Sequence, residues 1–445
     1  MAEISAKKRI WGWFFFDWAS QPYNTLLLTF IFAPYVKDLI GDPDEAQSTW
    51  GYVVGSAGLV IAIIAPILGA MADTSGRRVR WVWLFSLLYV VGAFGLWWAI
   101  PGAGNLMTIF LFFAIGLIGM EFATIFTNSM LPDLGSREEM GAISGNGWAF
   151  GYVGGLLALV IMLVFLAESP ETGKTVAGFD PIFGLDPATR EGTRAVGPLA
   201  AIWYAVFMVP FFLWVRDPRM GKPAKGAIRE ALGGLWRTVR NLPRTPSLFA
   251  YLASSMFYRD ALNGMYVFGG IYAAGTLDWS VVQTGIFGIL AIIMGAIFAF
   301  LGGRADTVFG PKPVIVFCVV ILTLVAITVV TISRESVLGF PVDPSGNAAD
   351  FAFYAVGAVI GAAGGVIQAA SRTMMVRQAN PERMTEAFGL YALAGKSTSF
   401  VAPFAIGVAT TLTGSQNLGV TPLIGLFLIG LILLIWVKPD GGERP

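Results

Sequence analysis

Apolar runs of about twenty residues recur along almost the whole of this 445-residue chain, separated by short charged or glycine-rich turns. Twenty residues is roughly the length an α-helix needs to cross the hydrocarbon core of a bilayer. Composition agrees. The chain is 56% hydrophobic and only 13% charged, where a soluble domain carries roughly 25% charged residues. The runs predict twelve helices, near 11–36, 50–72, 81–100, 106–131, 141–167, 197–215, 248–274, 280–302, 313–332, 351–376, 385–412 and 419–437. Spans four, five and eleven contain glycine and polar residues, which membrane helices tolerate where they pack against one another. The first run follows Lys7-Lys8-Arg9, as a secretory leader would. It extends to about Tyr35, contains Asp17 and lacks a small-residue cleavage site, so it reads as the first span.

One turn is written twice. Gly69-Ala70-Met71-Ala72-Asp73-Thr74-Ser75-Gly76-Arg77-Arg78 follows the second run. Gly302-Gly303-Arg304-Ala305-Asp306-Thr307-Val308-Phe309-Gly310-Pro311-Lys312 follows the eighth, with Asp306 lying 233 positions after Asp73. The repeat predicts two pseudo-symmetric six-helix bundles, 1–215 and 248–445, joined by 216–247. That joining segment carries Arg216, Arg219, Lys222, Lys225, Arg229, Arg237, Arg240 and Arg244. Its Ile228, Ala231, Leu232, Leu235, Trp236, Val239 and Leu242 recur at helical spacing, which predicts a basic amphipathic helix on the membrane surface. The segment 168–196 reads as an ordered cap or a loop. Of the 29 Lys+Arg, 21 lie in the termini, the central segment and the turns after spans 2, 4, 8 and 10; five lie in the opposite turns. Positive residues stay inside, so both termini are expected in the cytoplasm of a bacterial inner (plasma) membrane protein.

Several functions are excluded early. The chain has no histidine and a single cysteine, Cys318, so it offers no internal disulfide and no His- or Cys-rich metal site. It has no Walker-type phosphate loop and no Ser-His-Asp set. It is expected to be no enzyme, to need no cofactor and to bind no nucleic acid, its basic residues being spread along turns. Any proton relay has to use carboxylates.

The duplicated turn, the two six-span halves and the long central segment resemble the major facilitator superfamily. Thr74 stands where that family often has a basic residue, and the second copy has one extra residue between Asp306 and Gly310. A narrower likeness rests on Phe16-Asp17-Trp18-Ala19-Ser20-Gln21, Asn128-Ser129-Met130-Leu131-Pro132-Asp133, Gly147-Trp148-Ala149-Phe150-Gly151-Tyr152-Val153-Gly154-Gly155, Gln368-Ala369-Ala370-Ser371-Arg372 and Phe388-Gly389-Leu390-Tyr391. Together these resemble the vacuole effluxer family, the autophagy-linked vacuolar amino-acid exporters of fungi and their bacterial relatives. The resemblance implies an all-helical membrane transporter that moves a small solute, such as an amino acid, in the export direction by alternating access. It also implies that the turn Gly69, Asp73, Gly76, Arg77, Arg78, with Asp133 as a partner and Asp306 in the second copy, gates one side of the membrane. Glu138 and Glu139 are further candidate partners for the arginines.

Few charges remain away from the ends of the spans: Asp17, Glu121, Asp260, Arg259, Arg372 and Lys396. Such residues are costly in lipid and face the bundle interior. Asp17, Gln21 and Asn24 recur at i, i+4, i+7 on span 1. Tyr258, Arg259, Asp260 and Asn263 are the counterpart on span 7. Gln368 and Arg372 share a face of span 10, and Lys396 lies on span 11. Gln21, Asn24, Tyr258, Arg259, Asn263, Gln368, Arg372 and Lys396 are expected to bind solute, the cations taking a carboxylate. Each also has a plainer reading: Arg372 as a donor to backbone carbonyls, the others as interhelical bonds. Asp17, Glu121 and Asp260 are the candidates for coupling protons. Glycines 147, 151, 154 and 155, with Pro22, Tyr23 and Pro34, read as packing and hinge residues. The chain is expected to act as a monomer in the bilayer. Two alternatives stay open at this point: export of drug-like amphiphiles or lysolipids by the same fold, and a solute sensor that does not transport.

Overall fold

The computed structural model describes residues 4–217, 227–279 and 281–441, and these are almost entirely helical. Arg219, Lys222 and Lys225 lie outside the described residues. Strand structure among the described residues is confined to a two-residue hairpin, Ser336–Val337 with Phe340–Pro341, and an isolated bridge between Glu168 and Thr175. Among the described residues, ten helical segments are long and apolar enough to cross a membrane. The other two expected spans are the first and the seventh. The first is interrupted; the seventh carries Ser254, Ser255, Arg259, Asp260 and Asn263 along its length. The two spans least apolar by composition are thus the ones richest in candidate functional groups.

The chain gathers into two compact units, residues up to Met130 with Phe150–Ile228, and Leu131–Ala149 with Arg229 onwards. In the first unit, α1 (Ala6–Pro22) and α2 (Phe32–Ile40) are separated by a π-helical stretch, Tyr23–Phe30. The cause is local. Pro22 is buried inside the helical run and can donate no amide bond to the preceding turn; the ladder reforms over five residues instead of four. The unit continues through α3 (Pro43–Ser75), α4 (Arg78–Gly95) and α5 (Leu106–Asn128), takes in the second half of α6 (Met140–Ile161), and ends with α7 (Val196–Phe207) and α8 (Val209–Trp214). Its core is aromatic, and two of its tyrosine hydroxyls are bonded. Tyr23 donates to Phe113 O at 2.7 Å, Tyr204 and Ser86 share a bond of 2.8 Å, and Tyr89 stacks on Tyr204 with centroids 3.9 Å apart.

One end of this unit is closed by a charged network within 168–196, which is ordered. Glu168 is buried, and its carboxylate accepts from the Thr193 amide at 3.0 Å and the Thr193 hydroxyl at 2.9 Å. Arg190 reaches Glu168 at 3.3 Å and Asp38, near the end of α2, at 3.1 Å. It does so from a left-handed backbone conformation, φ 58°, which costs a non-glycine residue of order 1–2 kcal/mol.

The second unit comprises nearly all of α9 (Ala227–Asn241), then α10 (Pro246–Thr276), α11 (Val281–Phe309), α12 (Pro311–Val330), α13 (Ala348–Gln378), α14 (Met384–Ser397), α15 (Val401–Thr413) and α16 (Pro422–Leu433). The expected eleventh span is therefore two helices. Ser397 and Thr398 hydroxyls donate to Ala394 O, and Ser399 donates to Lys396 O through both its amide and its hydroxyl. These short side chains satisfy carbonyls that the next helical turn would otherwise take. Pro403, three residues on, has no amide to offer Ser399 O. The break at 398–400 follows from both.

Candidate functional sites

In the first unit, α1 lies backbone-close to α6. A Cβ at Gly151 would sit 3.1 Å from Asp17 O, one at Gly154 2.9 Å from Trp18 O, and one at Gly155 2.8 Å from Gln21 Cγ. The small residues of span 5 therefore serve packing, as their sequence suggests. Asp17 and Gln21 are half-buried on this face. Asn24 falls in the π stretch, where Thr29 donates to its carbonyl at 2.8 Å. A π turn advances by more residues than an α turn, so Asn24 is rotated off the straight stripe that the i, i+4, i+7 spacing predicts. Glu121, Thr124 and Asn128 are half-buried along α5, with Thr124 bonded to Met120 O.

The first copy of the repeated turn is a helix end followed at once by a helix start. Gly76, at φ 60°, donates to Ala72 O at 2.9 Å and closes α3; only a residue without Cβ takes that conformation at no cost. Arg77 is non-helical, at φ −121° and ψ 53°, and Arg78 opens α4 and donates Nη1 to Ser129 O at the end of α5, 2.7 Å away. Gly69 is buried, and Asp73 is half-buried one turn before Gly76. Asp217 was not foreseen. Its carboxylate accepts the Val79 amide at 3.0 and 3.2 Å, capping α4 from 138 positions away.

The second copy lies in the second unit, together with the opening of α6. Ser136 and Glu139 form one half of a capping box: Glu139 Oε2 accepts the Ser136 amide at 2.8 Å, while the Glu139 amide donates to the Ser136 backbone carbonyl at 3.1 Å. Glu139 is thus part of the α6 cap. Bonds from its own amide and the Ser136 hydroxyl hold the exposed Glu138 carboxyl below the usual carboxylate range. Asp133 is half-buried in the short helical turn before α6.

α6 then passes over α11 and α13 on glycine. A Cβ at Gly141 would lie 2.9 Å from Asp306 Cγ, and one at Gly145 would lie 2.6 Å from Gly303 Cα. Thr307 accepts the Ala142 amide at 3.0 Å, so the residue after the repeated aspartate holds the α6 amino terminus. Asp306 is 1% exposed, accepts the Thr373 hydroxyl, and leaves Oδ1 without a hydrogen-bond partner among the described residues.

Arg372 belongs to this clasp. It is 3% exposed and donates Nε to Ser144 Oγ at 3.0 Å and Nη2 to Ser144 O at 2.9 Å, while the Ser144 hydroxyl donates to Ala369 O at 2.8 Å. Its guanidinium also faces the Trp148 ring at 5.6 Å. The plainer reading of Arg372, donation to a carbonyl, describes this geometry. Gln368, one turn earlier on α13, is half-buried.

The span-7 residues point three ways. Tyr258 is fully buried, with its hydroxyl 2.8 Å from Ser371 Oγ. Arg259 lies over the Tyr391 ring at 4.2 Å and donates Nη1 to Tyr391 O at 3.2 Å, passing Gly395, where a Cβ would meet the guanidinium at 2.6 Å. Asp260 reaches α15. It is 2% exposed; Oδ2 accepts the Ala402 amide at 2.9 Å, and Oδ1 has no hydrogen-bond partner among the described residues. Asn263 is exposed, and Lys396 is half-buried at the end of α14. Asp260 therefore caps a helix that begins inside a span, and Arg259 and Lys396 lie on the approach to the same break.

Broken helices, a duplicated Gly-x-x-x-Asp turn and charges confined to a few spans define a membrane carrier, and the fold can be matched. The chain superposes on the proton:xylose symporter XylE with a TM-score of 0.70 at 13% identity, covering 97% of this chain and 94% of that one. The architecture is the major facilitator fold. In sequence, the chain is 24% identical over 436 residues to YxiO of Bacillus subtilis, an MFS-type transporter, covering 96% of this chain and 94% of that one. It is 23% identical over 313 residues to autophagy-related protein 22 of Cryptococcus neoformans, a match that takes in 68% of this chain and 53% of the fungal one. The chain belongs to the Atg22-like vacuole effluxer family, whose model matches residues 38–444. It is an integral membrane transporter of the major facilitator type and not an enzyme.

Proposed function

We propose that the protein exports a small carboxylate-bearing solute, of the amino-acid kind, by alternating access coupled to protons. The observation that carries this reading is Asp260. A carboxyl group almost fully removed from water, with one oxygen on the Ala402 amide and the other without a hydrogen-bond partner among the described residues, has room for one proton. It sits at a break in a span, the kind of place where carriers of this sort bind solutes and coupling ions. Protonation removes the charge that favours the α15 amino terminus, so gain or loss of a proton biases how α15 begins.

The solute roles follow from chemistry. Arg259 is held in a fixed plane by Tyr391, as bidentate binding of a carboxylate requires, and Lys396 adds charge beyond it. Tyr258, Asn263 and Gln368 complete this set, Gln21 and Asn24 supply amides from span 1, and Asp17 and Glu121 are further proton candidates. Arg372 we assign to the clasp on α6, where Asp306 acts with it; Gly69, Asp73, Gly76, Arg77, Arg78 and Asp133 form the gate of the first half. The functional halves are 1–215 and 248–445. Both termini face the cytoplasm of the plasma membrane, which the distribution of Lys and Arg supports.

The test is flux of a labelled amino-acid panel into proteoliposomes, with and without a proton gradient, for wild type and Asp260→Asn. The asparagine oxygen still accepts from Ala402, but the group no longer titrates. The expected result is gradient-driven accumulation near background in the variant with solute exchange retained. Full accumulation by Asp260→Asn would remove Asp260 from coupling. Absence of flux for any amino acid with folded wild type would discard the solute class and bring amphiphiles and lysolipids forward.

A further inference from the structure

α9 is tethered at both ends to membrane spans, α8 ending at Trp214 and α10 beginning at Pro246. One side of it is docked. A Cβ at Gly234 would lie 2.7 Å from Arg383 Nη2, and Arg383 Nη1 donates to Thr238 Oγ1 at 2.6 Å. Arg383 is also paired with Glu386 at the start of α14. Another side is bare. Trp236 is 67% exposed and Val239 41% exposed, although both are large and apolar. Arg229, Trp236 and Arg240 fall on one stripe (i, i+7, i+11), with Val239 beside it, and Arg229 and Arg240 are exposed. Arg237 and Arg244 are exposed as well.

We propose that this stripe is a docking surface for anionic lipid: α9 lies in the membrane interface with Trp236 and Val239 at the acyl boundary and Arg229 and Arg240 on lipid phosphates. Three features select this occupant over a soluble protein. The helix is held at the level of the membrane by the spans on either side. Its exposed apolar side chains are flanked by arginines, whose stems reach along apolar surface while the heads stay at phosphate level. The described charges on the stripe are of one sign, which complements an anionic leaflet. The Arg383 contact sets which side of the helix faces outward.

The experiment places a polarity-sensitive fluorophore on Val239→Cys in a Cys318→Ala background and reconstitutes the full chain in vesicles. The compositions run from pure phosphatidylcholine to mixtures with phosphatidylglycerol. Phosphatidylglycerol is expected to shift the emission to the blue and shield the probe from iodide, and high salt to weaken the effect. Each arginine near an anionic leaflet is worth about a fivefold change in partition. Arg229→Gln with Arg240→Gln should therefore shift the lipid dependence by about tenfold or more, with size-exclusion behaviour unchanged. Equal signals in both lipids would overturn the proposal, as would a phosphatidylglycerol response that the double variant keeps. Equal shielding by soluble inositol phosphate over pure phosphatidylcholine would also overturn it, assigning the arginines to a free anion.

Discussion

At the scale of single residues, what a side chain does here depends on partners far away in sequence. Arg372 is legible in the sequence as a buried cation, but its acceptor is Ser144, 228 positions earlier, and no local spacing announces that pair. The same holds for Asp217, whose partner is a backbone amide at Val79. The signal available was only position: an acidic residue directly after a span and before Pro218. Buried donors and acceptors that lose a partner cost about 1–3 kcal/mol each. Arg372→Ala is therefore expected to destabilise the protein by about that much, read as a fall in the thermal midpoint in detergent. Arg372→Lys should recover little of it, since an ammonium cannot span both Ser144 oxygens from one plane. A midpoint unchanged in both variants would show that the Ser144 bonds contribute nothing to stability.

At the scale of elements, the apolar runs located the helices well, and their interruptions poorly. The sequence marks Pro22 and the run Lys396-Ser397-Thr398, yet 11–36 and 385–412 read as continuous, because hydropathy averages over a broken helix as easily as over an intact one. Pro403 was the missed signal. A proline inside a helix costs about 3 kcal/mol relative to alanine, and here that cost favours two helices over one. Pro403→Ala supplies the absent amide. It is expected to slow hydrogen exchange at residues 399–401 and to slow transport, as α14 and α15 join. Unchanged exchange would mean that the Ser/Thr run alone sets the break. The glycines of α6 show the opposite case. Their packing role was legible because small residues in a span have few other uses, and the close approaches to Asp17, Trp18 and Gln21 follow.

At the scale of the whole molecule, duplication was the most legible property. A ten-residue turn repeated 233 positions later announces two halves, and the first copy is a helix end at Gly76 while the second is one at Gly310, φ 82°. Topology is testable at the same scale. Cys318 is buried, 2% exposed, so cysteines introduced at the exposed Thr74 and Ser345 can be labelled separately in a Cys318→Ala background. With both termini inside, a membrane-impermeant maleimide applied to intact cells should reach Ser345→Cys and miss Thr74→Cys. The reverse pattern would invert the assignment.

The network around Arg190 bears on biosynthesis. Asp38 and Glu168 both rest on this one guanidinium, and Asp38 leaves the ribosome 152 residues ahead of it. Until residue 190 has been made, both carboxylates lack this partner. Insertion of the early spans can thus precede completion of their unit by most of its length, and the turn at 187–190 acts as its closing stitch.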